Sequence, residues 1–229
     1  MHGIRVKAAG CSAPELVNAQ RPNFGGGATP KVFYDFFVAY TPDPATGKPD
    51  REKIAAFNES NVEGQLLEEL LANSTAPSNY SSNDFYSVHT FKFINREEKE
   101  TLVRWHFSPQ HDNERVGKEK NKVAFTPSLD QDIIARARAG PIRWDMIVTI
   151  GESTDEQINP TVYWPKDRKQ IKAGVLTLTS ASPQEGGTCE KINFDPLVMA
   201  PGIGPTNDPV LLFRSPSYSD SYEKHINGK

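Results

Sequence analysis

The C-terminal region contains two residues whose types and spacing could support metal chemistry. Arg214 and Tyr218 are four residues apart, so a helix would place both side chains on one face. A guanidinium beside a phenol oxygen favours the phenolate, because a nearby positive charge stabilises the anion. A phenolate is a hard anionic ligand for ferric iron, and tyrosine is a known axial ligand of haem. The pair therefore suggests an iron ligand at Tyr218, although on spacing alone a packed or surface pair is the commoner occurrence.

The helix that would carry this pair has a recognisable start. Asp208 is a good N-cap residue, and Pro209 suits the first helical position because its φ angle is already helical and its missing N–H is not needed there. These two residues predict a helix over residues 209–225. Asp208 lies six residues before Arg214, at the start of that helix.

Further helices are predicted upstream of this one. Thr29 as N-cap and Pro30 at the first position begin an aromatic-rich helix that carries Phe33 and Phe36. Asp50 can cap a second helix that begins at Arg51. Leucines on one face predict a third over residues 62–74, and a fourth over residues 129–139 ends at a Gly-Pro pair.

The middle of the chain has the pattern of strands. Residues 87–93 and 101–107 both alternate with period two, which predicts an antiparallel pair joined by a turn. Residues 143–150 and 174–179 are predicted as further strands, with a turn or short helix over residues 160–168 between them. Helices at the start, strands in the middle and a helix at the end predict an α+β domain around an antiparallel sheet or barrel.

Composition excludes several classes of partner. The chain has 229 residues and a formal net charge of −3, with acidic and basic residues interspersed, so it offers no strong field for nucleic acid or an anionic membrane. Its two cysteines, Cys11 and Cys189, have no metal-ligand spacing. With no apolar signal segment, no membrane span and no C-terminal peroxisomal signal, we expect a cytoplasmic protein.

A longer string around the last helix is more specific than the spacing alone. It consists of Phe194-Asp195-Pro196, Pro201-Gly202-Ile203, Asp208, Arg214 and Ser217-Tyr218-x-Asp220. This string resembles the proximal-side signature of the haem catalases, in which an arginine on the proximal helix precedes the iron-ligating tyrosine by four residues. The resemblance implies that Tyr218 is the iron ligand and that Arg214 keeps it deprotonated.

Upstream blocks match the same family in order. The run Ser87-Val88-His89-Thr90-Phe91-Lys92 resembles the family's Ser-His-Thr-Phe-Lys segment with one extra residue. Asn159-Pro160-Thr161, Trp164-Pro165 and Gly174-Val175-Leu176 resemble its Asp-Pro-Thr, Trp-Pro and Gly-x-Leu run. In the family, the histidine of the first block, the aspartate before the proximal helix and the arginine on it form a charge relay. The resemblance therefore implies that catalysis depends on His89, Asp208 and Arg214.

The resemblance covers about residues 1–225 and is closest to the small catalase-related haem peroxidases. It implies a catalase-like antiparallel β-barrel, incomplete at its N-terminus, with surrounding helices and a C-terminal proximal helix. It also implies haem b as cofactor, with Phe33 and Phe36 bordering the porphyrin. Expected partners are a peroxide substrate, a small-molecule electron donor and a second copy in a homo-oligomer. The expected organisation is one domain over residues 1–229, made of a partial barrel strand and loop (1–28), a helical segment (29–75), antiparallel strands with one helix (85–180) and the proximal loop and helix (194–226).

The distal side leaves two hypotheses open. In the family, a distal histidine acts as acid and base on peroxide, and its segment precedes the one that matches residues 1–7. The resemblance therefore implies a chain that begins after that histidine. The first hypothesis is a haem-dependent peroxidase or weak catalase that acts on hydrogen peroxide or organic peroxides. The alternative is a non-enzymatic or degenerate haem-binding domain that lacks the distal histidine.

Overall fold

The computed structural model describes residues 5–6, 16–17, 27–62, 65, 79–110, 129–183, 186–187 and 190–228. Residues 5–6 and 16–17 are described as backbone only. They form two short strands, β1 (Arg5–Val6) and β2 (Leu16–Val17), which pair antiparallel with each other. Much of the predicted helix over residues 62–74 lies outside the described residues, as do Cys11 and Cys189.

Capping residues begin the first two long helices as predicted. Helix α1 (Pro30–Tyr40) has Thr29 as its N-cap, and the Thr29 hydroxyl accepts a hydrogen bond from the amide of Val32. Helix α2 (Arg51–Ser60) is capped by Asp50. Such side chains satisfy amide groups that lack partners in the first turn of a helix. The caps therefore fix where both helices begin, and α1 packs against α2.

One antiparallel sheet forms the centre of the described structure. Its strands are β3 (Phe85–Tyr86), β4 (Phe91–Ile94), β5 (Glu100–Pro109), β6 (Ile142–Ile150), β7 (Gln170–Leu178) and β8 (Ile203–Pro205). Their order is β7-β6-β5-β4-β8, with β3 paired to β5. Helix α3 (Leu129–Ala139) lies between β5 and β6 in the chain, and helix α4 (Pro209–Asn227) follows β8. The predicted α+β class with an antiparallel sheet is confirmed, and the last helix begins at the predicted residue.

The prediction of one continuous strand over residues 87–93 is wrong. Tyr86 pairs with His106 and Phe91 pairs with Val103, so residues 87–90 stand opposite only residues 104–105 of β5. The two extra residues must leave the ladder, as in a β-bulge. Ser87 holds the edge of this bulge, since its hydroxyl accepts a hydrogen bond from the amide of Trp105 at 2.8 Å. Residues 87–90 therefore form a buried bulge between β3 and β4.

The hydrophobic core lies on the face of the sheet that also receives α4. Fully or nearly fully buried side chains in this core include Phe85, Val103, Trp105, Trp144, Val148 and Leu211. Leu211 belongs to the first turn of α4 and is 0% exposed. The start of α4 is thereby fixed against the sheet. Over the described residues, no helix has both the length and the apolar character that a membrane crossing requires.

Candidate functional site

Strand register brings the bulge and the start of α4 together. Phe91 of β4 pairs with Pro205 of β8. His89 lies two residues before Phe91, and Asp208 lies three residues after Pro205. Because β4 and β8 are antiparallel, both residues leave the sheet at the same end. The pairing of two short strands therefore sets the position of His89 relative to Asp208.

Asp208 uses its two carboxylate oxygens for different tasks. Its Oδ1 accepts hydrogen bonds from the amides of Val210 and Leu211, at 2.8 and 3.2 Å, and so caps α4. Its Oδ2 lies 2.7 Å from Nδ1 of His89. Both side chains are removed from water, with Asp208 1% and His89 2% exposed. One carboxylate thus joins the helix start to the bulge.

The protonation state of His89 follows from its surroundings. Burial is the largest influence and lowers the pKa of His89, because it disfavours the charged imidazolium. The hydrogen bond to Asp208 opposes this shift, and the charge of Arg214 adds to it. A neutral imidazole has one donor and one acceptor nitrogen. Since an anionic carboxylate only accepts, Nδ1 carries the proton and Nε2 is left as an acceptor.

Arg214 uses that acceptor. Its Nη1 lies 3.3 Å from Nε2 of His89, so the guanidinium donates to the imidazole. The Cζ atom of Arg214 also lies 5.6 Å from the centroid of the Tyr218 ring, within the range of a cation–π contact. The structure therefore brings together Asp208, His89, Arg214 and Tyr218 in one series of contacts. We call the first three of these residues the relay.

Two contacts tie the helix that carries Tyr218 to the loop before it. The hydroxyl of Ser215 donates a short hydrogen bond to the carboxylate of Asp195. The hydroxyl of Tyr222 donates to the carbonyl oxygen of Lys191 at 2.8 Å. Ser215 and Tyr222 lie about one turn before and one turn after Tyr218 along the helix. The helix is therefore held on both sides of the half-buried Tyr218.

Pro216 lies inside α4, midway between Arg214 and Tyr218. Proline has no amide hydrogen, so it cannot donate to the carbonyl of Leu212 one turn earlier. The hydrogen-bond series of α4 is thus interrupted between the two residues whose spacing first suggested a site.

The two phenylalanines predicted at a porphyrin edge have different surroundings. Phe33 packs against Val88 of the bulge and Val210 of α4, next to the relay. The ring of Phe36 lies 4.5 Å from that of Tyr40 and 5.9 Å from that of Phe57, measured between centroids. Phe33 is therefore a neighbour of the relay, whereas Phe36 lies in the contact between α1 and α2.

Sequence reasoning missed Arg104, a buried arginine behind the relay. Arg104 belongs to β5 and is 9% exposed. Its Nε donates to the hydroxyl of Thr90 at 3.0 Å and its Nη1 donates to the carbonyl of Val162 at 2.8 Å. Its Cζ lies 4.8 Å from the centroid of the Trp164 ring. Burial lowers the pKa of Arg104 to about 10, so the group stays charged at neutral pH. A charged residue between Val103 and Trp105 was the available signal.

The loop between β6 and β7 closes over Arg104. The indole of Trp164 donates to the carbonyl of Glu156 at 2.8 Å. Two nitrogens of Arg168 donate to the two carboxylate oxygens of Asp155, each at 2.8 Å. The pKa of Asp155 is lowered chiefly by this pairing with Arg168. These contacts fix the wall on which the guanidinium of Arg104 rests.

Tyr218 suits an iron ion that is already held by a macrocycle. It offers one oxygen donor to a metal ion. In haem, the porphyrin supplies four donors, so one protein ligand is enough. The half-buried ring fits that role, and the positive charge of Arg214 beside it would complement an anionic oxygen ligand.

Comparisons with known proteins identify the family of this chain. The catalase family model matches residues 17–228. The chain is 46% identical over 203 residues to a catalase-related peroxidase of Synechococcus elongatus, with 89% of this chain and 60% of that protein covered. It is 28% identical to a catalase-related peroxidase of Mycolicibacterium paratuberculosis, with 96% and 70% covered. The chain therefore spans 60% of the length of the Synechococcus relative.

Solved structures share the fold. A bacterial catalase superposes with a TM-score of 0.75 at 23% identity, over 93% of this chain and 44% of that one. Catalase A from Saccharomyces cerevisiae superposes with a TM-score of 0.76 at 20% identity, over 93% and 46% of the two chains. The fold is therefore catalase-like, with the described strands forming an open part of such a barrel. The family match, the relatives and the fold agree that this chain belongs to the catalase family.

Proposed function

We propose that this chain is a haem-dependent oxidoreductase that acts on hydrogen peroxide or organic peroxides, with the phenolate of Tyr218 as the iron ligand. Haem b is the proposed cofactor, and a small molecule is the proposed electron donor. The names of two relatives, both catalase-related peroxidases, support peroxide as the substrate class. Self-association into a homo-oligomer is proposed on the family resemblance alone.

One observation carries the proposal. The guanidinium of Arg214 lies against the ring of Tyr218 and is bonded at the same time to Nε2 of His89. A phenolate of Tyr218 bound to iron would have this positive charge beside it. An arginine held only by its own helix would sample many rotamers. The bond to His89 restricts it, so the stabilising charge stays beside Tyr218.

The relay supplies this restraint because each member donates a hydrogen bond to the next, from Arg214 to His89 and from His89 to Asp208. Asp208 accepts from Nδ1 of His89, and Nε2 of His89 accepts from Arg214. Protonation of His89 would remove the acceptor and would place a second cation beside Arg214. Burial disfavours that protonation. The proposed role of Asp208 and His89 is thus to hold Arg214 in place, and the proposed role of Arg214 is to keep a positive charge beside the ring of Tyr218.

When bound, haem supplies an iron centre that exchanges electrons with peroxide and donor. In the proposal, Tyr218 holds the iron and Phe33 and Phe36 border the macrocycle. Phe33 has the better support, because it packs on Val88 and Val210 beside the relay. Phe36 shares helix α1 with Phe33, and its ring faces Tyr40 and Phe57.

Haem loading of two matched tyrosine variants tests the proposal. The full chain is reconstituted with haem, and its visible spectrum and peroxide turnover with a dye donor are measured. We expect Tyr218→Phe to lose the spectral signature of a phenolate ligand and to lose turnover. Tyr222→Phe is the control, because Tyr222 lies one turn further along the same helix and its hydroxyl donates to the carbonyl of Lys191. An unchanged haem spectrum in Tyr218→Phe contradicts the ligand assignment.

Turnover separates the enzyme from the non-enzymatic alternative. Haem-loaded wild-type protein that turns over peroxide faster than free haemin supports the oxidoreductase. A protein that binds haem through Tyr218 yet matches free haemin supports a haem-binding domain without peroxidase activity. The spectrum of the ligand variant and the rate of the wild type therefore answer separate questions.

A further inference from the structure

We propose that Arg104 is a positioning residue of the relay, whose buried charge, held behind Thr90, keeps His89 in the tautomer that accepts from Arg214. The inference rests on the proposed function for the purpose of the relay. Its geometry and its test concern only groups of this chain. Arg104 touches neither Tyr218 nor Arg214 in any contact described above, so it would act through its neighbours.

Arg104 is joined to the relay through two threonines. Its Nε donates to the hydroxyl of Thr90, the residue next to His89. The carbonyl of Thr90 accepts from the hydroxyl of Thr206 at 3.0 Å, and Thr206 lies two residues before Asp208. The bulge and the start of α4 are therefore joined twice, once by His89 and Asp208 and once by the threonines. Arg104 contributes to the second connection through its hydrogen bond to Thr90.

The charge of Arg104 has no direct counterion among the residues that the structure describes. Its hydrogen bonds go to a hydroxyl and a carbonyl, and its face rests on Trp164. Of the carboxylates that act on its charge, Asp208 has the largest effect, ahead of Glu156 and Asp155. Coulomb interactions weaken less with distance in a protein interior than in water. The charges of Arg104 and Asp208 therefore attract each other, although Arg104 occupies neither of the Asp208 oxygens.

This arrangement fits the needs of Asp208. Its two oxygens are taken by the cap of α4 and by His89. A guanidinium in direct contact would compete with His89 for an oxygen. A guanidinium behind Thr90 supplies charge without that competition.

Among the residues that the structure describes, Asp208, Arg214 and Arg104 all act electrostatically on His89. Asp208 favours a proton on Nδ1, whereas Arg214 and Arg104 both disfavour the doubly protonated ring. With the ring neutral and Asp208 anionic, the proton must lie on Nδ1, which leaves Nε2 free to accept from Arg214. Loss of the charge at position 104 would remove one of the cations that disfavour the doubly protonated ring, and would allow other proton positions on His89.

The test separates the effect of the Arg104 charge from the effect of its polar contacts. The ring nitrogen signals of His89 are recorded by 15N NMR at one neutral pH in the full chain without haem. The variants are Arg104→Lys, which keeps a charge, and Arg104→Gln, which keeps polar contacts but has none. We expect Arg104→Lys to retain the single Nδ1–H pattern and Arg104→Gln to show a mixture of proton positions. Circular dichroism checks that both variants are folded.

Two results would overturn the proposal. One is an unchanged His89 pattern in Arg104→Gln, and the other is equal loss of the pattern in both variants, which would make Arg104 a packing element. If Arg104→Gln does not fold, Thr90→Val replaces it, because this variant removes the hydrogen bond while the charge stays. We expect the pattern to survive in both Arg104→Lys and Thr90→Val, and its loss in either would overturn the charge role. Haem binding through Tyr218 is not part of this measurement, so failure here leaves the proposed function standing.

Discussion

The Nδ1 atom of His89 lies 2.7 Å from the Oδ2 atom of Asp208, across 119 residues of chain. Two local features create this contact. A bulge lifts His89 out of the sheet, and a helix cap fixes the carboxylate of Asp208. The contact therefore exists only in the folded protein, and each of its partners can be altered with a different expected result.

Replacing Asp208 separates its two tasks. Asparagine is as good an N-cap as aspartate, so Asp208→Asn should keep α4 stable. Its amide N–H would face Nδ1 of His89 and would favour the opposite tautomer. We expect peroxide turnover of the haem-loaded protein to fall about 10–100-fold, the range for groups that orient a metal ligand. Asp208→Ala should lose activity as well and should also lose about 1 kcal/mol of stability with the cap. Dye turnover and urea unfolding measure the two effects, and equal stability of the two variants would contradict the capping role.

The stability of the protein should depend on pH through His89. Burial lowers the pKa of His89 below its ordinary 6.5 in the folded state, so the unfolded chain takes up this proton first as the pH falls. The contribution of His89 to stability is therefore complete above pH 6.5 and is lost as the pH falls from there through the folded-state pKa. Urea unfolding of the haem-free chain gives the free energy of unfolding at each pH. Between pH 5 and pH 8, this free energy should depend less on pH in His89→Gln than in wild type.

His106 provides the control for this pH dependence. Burial also lowers the pKa of His106, so part of the slope should remain in His89→Gln. His106→Gln should remove that remaining part and leave the His89 part. A slope unchanged by His89→Gln would show that His89 is not buried in its neutral form.

The pair of Asp155 and Arg168 should contribute to stability above acidic pH. Hydrogen bonds from Arg168 lower the pKa of Asp155 below 3.8, so this contribution is present above 3.8 and is lost as the pH falls through the folded-state pKa. Asp155→Asn should lower the free energy of unfolding at pH 7, because it removes the carboxylate that accepts two hydrogen bonds from Arg168. Glu152→Gln is the matched control. Glu152 lies 3.3 Å from Arg168 but its side chain is 66% exposed, and its loss should cost less than about 1 kcal/mol. Urea unfolding at pH 7 and pH 3 compares the variants.

Gly151 should tolerate no side chain. A Cβ atom there would lie 2.5 Å from Cη2 of Trp164, the ring on which Arg104 rests. Gly151→Ala should cost about 1–3 kcal/mol, the usual penalty for overpacking. At Gly174, a Cβ would have no neighbour within 4 Å, so Gly174→Ala should change stability by less than about 1 kcal/mol. Thermal or urea unfolding tests the difference, and equal values for the two variants would contradict the close contact with Trp164.

Local chemistry in the sequence predicted the helix starts. Thr29, Asp50 and Asp208 all cap helices in the structure. A side-chain oxygen one residue before a helix can accept hydrogen bonds from the amides of its first turn. The resemblance to catalases brought His89, Asp208 and Arg214 into one hypothesis, and the structure places these three in contact. Their roles in catalysis remain proposals.

Two features could not be predicted from the sequence pattern. Residues 87–90 continue the alternation of a strand. No local sequence feature shows that these four residues stand opposite only two residues of β5. That mismatch depends on the pairing of Tyr86 and Phe91 with distant residues. The period-two pattern of residues 101–107 indicates only that Arg104 occupies one position of a strand. Its burial depends on a loop that follows it by about 60 residues and supplies the Val162 carbonyl.

Pro216 has a consequence for how α4 opens and closes. Helix turns open cooperatively because each hydrogen bond supports the next, and a missing bond weakens that coupling. The first half of α4 is held by the Asp208 cap and by Leu211 in the core, whereas the second half is held by Tyr222 against the loop. Amide hydrogens after Pro216 can therefore exchange with solvent while those before it stay protected. We therefore expect Arg214 to keep its hydrogen bond to His89 when the turn that carries Tyr218 frays.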